Sequence, residues 1–194
     1  MILPHQYPYH VVLGSASPRR KELMERMGFG FEVRVKETDE SYPATMPQEE
    51  VAEFVAVKKS QAFDLDELPE NTLLVTADTV VLLDDRIFGK PADREEAVRM
   101  LYALSGQTHK VITGVCLRSR RKQENFSVQS EVTFRVLSLE EIEYYVDTLK
   151  PYDKAGAYGL QEWIGYVALE HIEGSFFNVM GLPTQRLYRA MMDF

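Results

Sequence analysis

Apolar and polar positions along the chain switch repeatedly between the two-residue period of a strand and the longer period of a helix. His10–Gly14 (His-Val-Val-Leu-Gly) is a short apolar run and predicts a buried strand. Ser17-Pro18 then predicts a helix start, with Ser17 as cap and Pro18 as first helical residue; Leu23 and Met27 lie four apart and Gly28 marks the stop. Phe31–Lys36 alternates, with Phe31, Val33 and Val35 facing inward, and predicts a strand. Pro47–Phe63 predicts a helix with Val51, Phe54, Val55 and Ala62 on one face. Leu73–Leu83 is strongly apolar and predicts a strand interrupted by Asp78, with a turn at Asp84-Asp85. Asp93 caps a predicted helix through Leu104, with Glu96 at the capping-box position and Gly106 as its end. Lys110–Arg118 and Phe126–Leu137 predict two more strands, the second alternating at Val132, Phe134 and Val136. The intervening Ser119-Arg120-Arg121-Lys122-Gln123 reads as a solvated polar turn. Ser138-Leu139-Glu140-Glu141 is a capping box that opens a helix ending before Pro151. Gly165–Ile172 reads as a strand and Pro183–Met192 as a last helix.

Strands interleaved with helices predict an α/β fold with a mixed sheet. The strand at 126–137 follows directly on that at 110–118, so some antiparallel pairing is expected. Residues 1–194 show no internal repeat, low-complexity tract or long Pro/Gly linker, and one domain is expected. A chain of this length can bury roughly 70% of its unfolded surface without disulfides or a structural metal.

Charge narrows the choice of partner. The chain carries 22 Lys+Arg against 30 Asp+Glu, a formal charge of −8. General nucleic-acid binding is therefore not expected, because phosphate affinity is built from Lys and Arg. The single cysteine, Cys116, excludes an intrachain disulfide, and its apolar surroundings predict a buried thiol. Met1 to His10 lacks a basic n-region and is broken by Pro4 and Pro8, so no signal peptide is expected there. No apolar run approaches the ~18 residues of a membrane span. These features together predict a cytoplasmic protein.

Four segments carry candidate chemistry. Ser15-Ala16-Ser17-Pro18-Arg19-Arg20 places two arginines in the first turn of a helix, where the partial charge of the helix favours acids. They read either as solvated arginines on a capped helix or as one half of an anion site, with the helix N–H groups as the other. Asp78 is a carboxylate inside an apolar run, costly unless paired, bonded or metal-bound, and a strand-end acid of this kind can present a general base. Gly89-Lys90-Pro91 reads alone as a turn with an exposed lysine. Lys154-Ala155-Gly156-Ala157-Tyr158-Gly159-Leu160-Gln161 reads either as a flexible loop or as a close approach to a ligand, with Lys154 facing phosphate. Glu40 and Lys59 are inconspicuous alone. No P-loop is present, and His5, His10, His109 and His171 are scattered.

Taken in order, these segments resemble the Maf family of nucleotide pyrophosphatases. Asp39-Glu40, Lys59, Ala77-Asp78-Thr79-Val80-Val81, Leu104-Ser105-Gly106-Gln107-Thr108-His109 and Gly181-Leu182-Pro183 also fit, so the likeness covers nearly the whole chain. The resemblance implies an elongated α/β fold shared with inosine-triphosphate pyrophosphatases, with two lobes around a central cleft, often as a homodimer. It implies cleavage of a nucleoside triphosphate to the monophosphate and pyrophosphate with a divalent metal, Mg2+ or Mn2+. By position, Asp78 would activate water and Glu40 would share the metal with it. Ser15, Ser17, Arg19, Arg20, Lys59, Thr79, Lys90, Lys154 and Gln161 would contact substrate, with Arg20, Lys59, Lys90 and Lys154 on the phosphates.

Charge is consistent with this. Arg19, Arg20, Lys59, Lys90 and Lys154 take five of the 22 cations and leave 17 to face 30 acids, a pattern suited to a small polyanion. Family branches differ at positions 19, 79 and 161. Arg19, Thr79 and Gln161 resemble the branch acting on dTTP and UTP, whereas the branch acting on 7-methylguanosine triphosphate carries a carboxylate in place of Gln161. Arg and Gln can bond the two carbonyls and one N–H of thymine or uracil without excess negative charge. Two alternatives stay open: a nucleotide-binding regulator of cell division that acts without turnover, and a purine-directed hydrolase on the same architecture.

Overall fold

The computed structural model describes residues 3–194. The strands are β1 (His10–Leu13), β2 (Phe31–Val33), β3 (Thr72–Leu83), β4 (Arg86–Phe88), β5 (Thr108–Arg118), β6 (Gln123–Phe134) and β7 (Leu169–Glu173). The helices are α1 (Pro18–Arg26), α2 (Val51–Gln61), α3 (Arg94–Leu104), α4 (Leu139–Leu149), α5 (Trp163–Ala168), α6 (Phe176–Val179) and α7 (Thr184–Asp193). The strands form one seven-stranded sheet in the order β2-β1-β3-β5-β6-β7, with β4 paired to β3. It is mixed: β1 runs parallel to β2 and β3, while β3–β4 and β6–β7 are antiparallel. Among the described residues, no helix is long and apolar enough to cross a membrane.

The chain divides into two compact units. The first holds the residues up to Asp78, Thr113–Val128 and Gly181–Phe194; the second holds Thr79–Ile112 and Gln129–Met180. β3 passes from one to the other between Asp78 and Thr79, so the first ends on the acid that stands out in the sequence.

In the first unit, α1 is capped as predicted: the Ser17 side chain accepts the Arg20 N–H, Pro18 opens the helix, and Gly28 has a left-handed φ of 83°. α2 packs by small residues, and its buried face is Val51, Ala52, Val55, Ala56 and Ser60. Phe54, expected inward, lies on the exposed side of that helix. Backbone proximity explains the difference. A Cβ on Gly114 of β5 would lie 2.2 Å from the Glu53 amide nitrogen and 2.3 Å from the Ala52 carbonyl carbon. The strand thus touches the helix backbone directly and leaves no room for a large side chain.

The strand predicted at 31–36 stops after Val33. It sits at the sheet edge with β1 as its neighbour, and the Arg34 N–H bonds the Leu13 carbonyl at 3.1 Å just past its end. Val35 is 57% exposed, so the alternating pattern there does not mark a buried face. β3 runs through Asp78 without a break, against the predicted interruption.

The second unit encloses one large apolar cluster, which includes Phe88, Leu101, Leu104, Phe134, Ile142 and Tyr145. Asp93 caps α3 by accepting the Glu96 N–H, while the Glu96 carboxylate accepts the Ala92 N–H. The Ser138–Glu141 capping box closes in both directions at the start of α4. β6 ends at Phe134, so Val136 is 76% exposed rather than inward. The largest difference is at 165–172, where helix α5 precedes the short β7. Local β propensity is overridden by packing: a Cβ on Gly165 would lie 1.9 Å from the Leu160 carbonyl oxygen, so α5 seats directly on the preceding loop.

Candidate functional site

The candidate residues fall into two groups, one in each unit. In the first, Ser15, Ser17, Arg19 and Arg20 occupy the turn from β1 into α1. Arg20 does not project into solvent. Its Nε donates to the Gly181 carbonyl at 2.8 Å and its Nη1 to the Ala77 carbonyl at 2.8 Å, with Ser15 Oγ at 3.4 Å. One guanidinium thus ties α1 to the residue before Asp78 and to the segment leading into α7. Burial lowers its pKa, Asp78 and Glu40 oppose that shift, and Arg19 adds to it.

Lys59, in the last turn of α2, lies between two carboxylates. Its Nζ is 2.6 Å from Asp78 Oδ1 and 2.8 Å from Glu40 Oε1. Three contacts fix α2 against the sheet and so fix that lysine. The Thr76 hydroxyl donates to the Ala56 carbonyl at 2.7 Å. Gly114 meets the helix backbone. Arg118 Nη2 donates to the Ser60 and Phe63 carbonyls, each at 2.6 Å, at the C-terminal end of the helix. Beside Lys59, a depression of about 520 Å³ is lined by Lys36, Glu37, Thr38, Asp39 and Glu40. Lys58 and Ser41 hold the Asp39 carboxyl well below the usual carboxylate range.

Among the described residues, no group of three or more His, Cys, Asp or Glu side chains is placed to hold a metal ion. Glu40 and Asp78 nevertheless converge on one ammonium. Two carboxylates suit a hard divalent cation that takes its other ligands from substrate phosphates and water.

In the second unit, Thr79 is half-buried on β3, and Lys90 is exposed just past β4. The Gly89 carbonyl beside it accepts the Gly156 N–H at 3.0 Å, which ties the 89–91 turn to the 154–161 loop. Gly156 has a φ of 67°, and a Cβ there would press on Val81 at 3.1 Å. The loop is anchored by Tyr158, whose hydroxyl meets His109 Nε2 at 2.7 Å. The Tyr158 ring packs edge-on against Phe134. Burial raises the pKa of Tyr158 and lowers that of His109 to about 4.

Lys154 is buried rather than open to solvent. Its Nζ is 2.6 Å from Asp153 Oδ1 and 3.0 Å from Glu162 Oε1. Gln161 folds back over Gly159: a Cβ there would lie 3.1 Å from Gln161 Nε2 and 3.2 Å from Lys154 Cε. Gln161 Oε1 is buried without a hydrogen-bond partner.

Sequence reading missed Gly114, Arg118, Tyr145 and Glu162. None carried a signal. Arg118 ends an apolar strand, Tyr145 lies on the buried face of an amphipathic helix, and Glu162 follows the loop as an ordinary polar residue.

Known proteins supply a frame for this geometry. The family model described as Maf-like protein matches residues 10–194. The dTTP/UTP pyrophosphatase of Porphyromonas gingivalis strain W83 is 52% identical over 188 residues, covering 96% of this chain and 94% of that protein. The protein of the same name from Parabacteroides distasonis is 51% identical, with 96% of each chain covered. That from Flavobacterium psychrophilum is 46% identical over 183 residues, 94% of this chain and 93% of its own. A match over so much of the sequence settles the assignment: the chain belongs to the Maf family.

Proposed function

We propose that this protein hydrolyses dTTP and UTP to the nucleoside monophosphate and pyrophosphate. The observation that carries the reading is Lys59 held between Asp78 and Glu40, with its ammonium within 3 Å of each carboxylate. The relatives named dTTP/UTP pyrophosphatase support the substrate class.

In this reading Asp78 accepts a proton from water, and the water oxygen attacks the α-phosphorus. The bond from that phosphorus to the α–β bridging oxygen breaks, and pyrophosphate leaves with the electron pair. Lys59 orients Asp78 and offers positive charge to the phosphates. Arg20 braces the strand that carries Asp78 and adds to the positive field, together with Arg19, Lys90 and Lys154. Ser15 and Ser17 contribute hydroxyls and helix N–H groups to the same end. Glu40 and Asp78 would hold a divalent cation, Mg2+ or Mn2+, whose chemistry is to neutralise phosphate charge.

Arg19, Thr79 and Gln161 read the base. In this reading the Gln161 amide, which carries both an acceptor and donors, meets the N3–H and a carbonyl of thymine or uracil. The reading places the protein in the cytoplasm with its nucleotides, as a homodimer and without nucleic-acid partners.

The test is pyrophosphate release from dTTP, UTP, 7-methyl-GTP and ITP, each with Mg2+ or Mn2+. dTTP and UTP are expected to be the best substrates. Asp78→Asn is expected to abolish release and leave dTTP binding largely intact. Preference for a purine triphosphate, or turnover that survives Asp78→Asn, would refute the assignment. Binding without turnover by the unmodified protein would favour a regulator.

A further inference from the structure

Glu40 belongs to a stretch without regular structure: β2 ends at Val33, and residues 34–43 form neither helix nor strand. Side chains do the fastening there. Lys58, in the last turn of α2, brings its ammonium to the residues on both sides of Glu40. Its Nζ donates to Asp39 Oδ2 at 2.8 Å, to the Ser41 carbonyl at 2.9 Å and to Ser41 Oγ at 3.3 Å. Asp39 closes the turn from within. Its Oδ1 accepts the Ser41 N–H at 2.9 Å, and its Oδ2 accepts the Ser41 hydroxyl at 2.5 Å. Glu40 lies between these two anchors, and its own Oε1 is 2.8 Å from Lys59 Nζ. Two consecutive lysines at the end of one helix thus hold two consecutive acids on one loop.

We propose that Lys58, acting through Asp39 and Ser41, is a positioning residue that sets Glu40 opposite Asp78 across Lys59, ready to receive a divalent cation. The proposal rests on the reading of Glu40 and Asp78 as the carboxylates that would hold Mg2+ or Mn2+.

The chemistry asks for such a brace. Holding two carboxylates near one another is unfavourable, and a ligand that must be ordered as the cation arrives lowers affinity. Lys59 holds the tip of the Glu40 side chain. Lys58 holds the chain on either side of it, through the Ser41 carbonyl and the Asp39 turn. The Asp39 side chain is 70% exposed, and an ion pair in that setting adds little to global stability. Its effect is local: losing a partner that orients a metal ligand lowers affinity by about 10–100-fold.

Charge and position predict different outcomes. If Lys58 acted by charge alone, removing it would make the site more negative and tighten cation binding. Removing the Asp39 charge would loosen it. If Lys58 acts by position, both losses weaken binding.

The experiment measures Mn2+ binding to the nucleotide-free protein by electron paramagnetic resonance of the free ion. The wild type, Lys58→Met, Asp39→Ala and Glu40→Gln are compared, with thermal melts of each. Lys58→Met and Asp39→Ala are each expected to raise the Kd for Mn2+ about tenfold, with melting midpoints close to the wild type. Tighter or unchanged Mn2+ binding in Lys58→Met would overturn the proposal. So would a loss of affinity matched by a lowered melting midpoint, which would make Lys58 a structural residue only. No Mn2+ uptake by the wild type, or wild-type affinity in Glu40→Gln, would instead overturn the reading of Glu40 as a cation ligand, and the proposal with it.

Discussion

Replacing Gly114 with alanine should damage stability and catalysis together, although residue 114 is not among the proposed substrate contacts. The added Cβ would lie 2.2 Å from the Glu53 nitrogen, 2.3 Å from the Ala52 carbon and 2.4 Å from the Ala52 oxygen, all backbone atoms. Ordinary contact begins at 3.4 Å, so β5 and α2 must part by about 1 Å. Over-packing of this kind costs about 1–3 kcal/mol, and rigid backbone as the obstacle argues for the upper end. The same displacement acts on Lys59, which lies further along α2 and must remain 2.6 Å from Asp78. A shift near 1 Å at a catalytic constellation can cost ~100-fold in rate. Gly30→Ala is the control, because nothing lies within 4 Å of a Cβ at that position. Urea denaturation of both variants gives the stability difference, and pyrophosphate release from the folded fraction gives kcat. If Gly114→Ala matches Gly30→Ala in both, the claim that backbone contact seats α2 is wrong.

Arg118→Met removes two donors from the carbonyls of Ser60 and Phe63 and should cost about 1–3 kcal/mol, with kcat falling because the end of α2 carries Lys59. A wild-type denaturation midpoint in Arg118→Met would contradict this. Burial lowers His109 to about 4 from its ordinary 6.5. Between those values the unfolded chain binds a proton that the native chain does not, so stability falls as pH drops from 6.5 to 4, by about 3 kcal/mol. His109→Gln should flatten that slope, and an unchanged slope in denaturation midpoints across the window would refute it.

The fold was most legible where local chemistry and packing agree. Ser17, Asp93 and Ser138 each cap the helix expected of them, because a cap depends on residues within one turn. Expectations failed where a distant element decided the outcome. Phe54 is displaced from the inner face by the approach of β5 at Gly114, and Gly165 allows a helix where propensity favours a strand. Val35 and Val136 keep an alternating pattern beyond the point where the ladder stops. The candidate residues could be named from their motifs, but their partners could not. Nothing in the identity of Lys154 announces that it is buried against Glu162, since that pairing is made by the path of the loop. Arg118 and Tyr145 act through backbone carbonyls and amides, which no residue pattern displays.

Cys116 has a consequence for handling the protein. It is the only thiol in the chain, it is fully enclosed, and burial raises its pKa. Maleimides, disulfide reagents and peroxide must therefore wait for β5 to come away from its neighbours before they can react. The rate of sulfhydryl modification becomes a native clock for opening of the first unit, read without an engineered label, and bound nucleotide that tightens this unit would slow it.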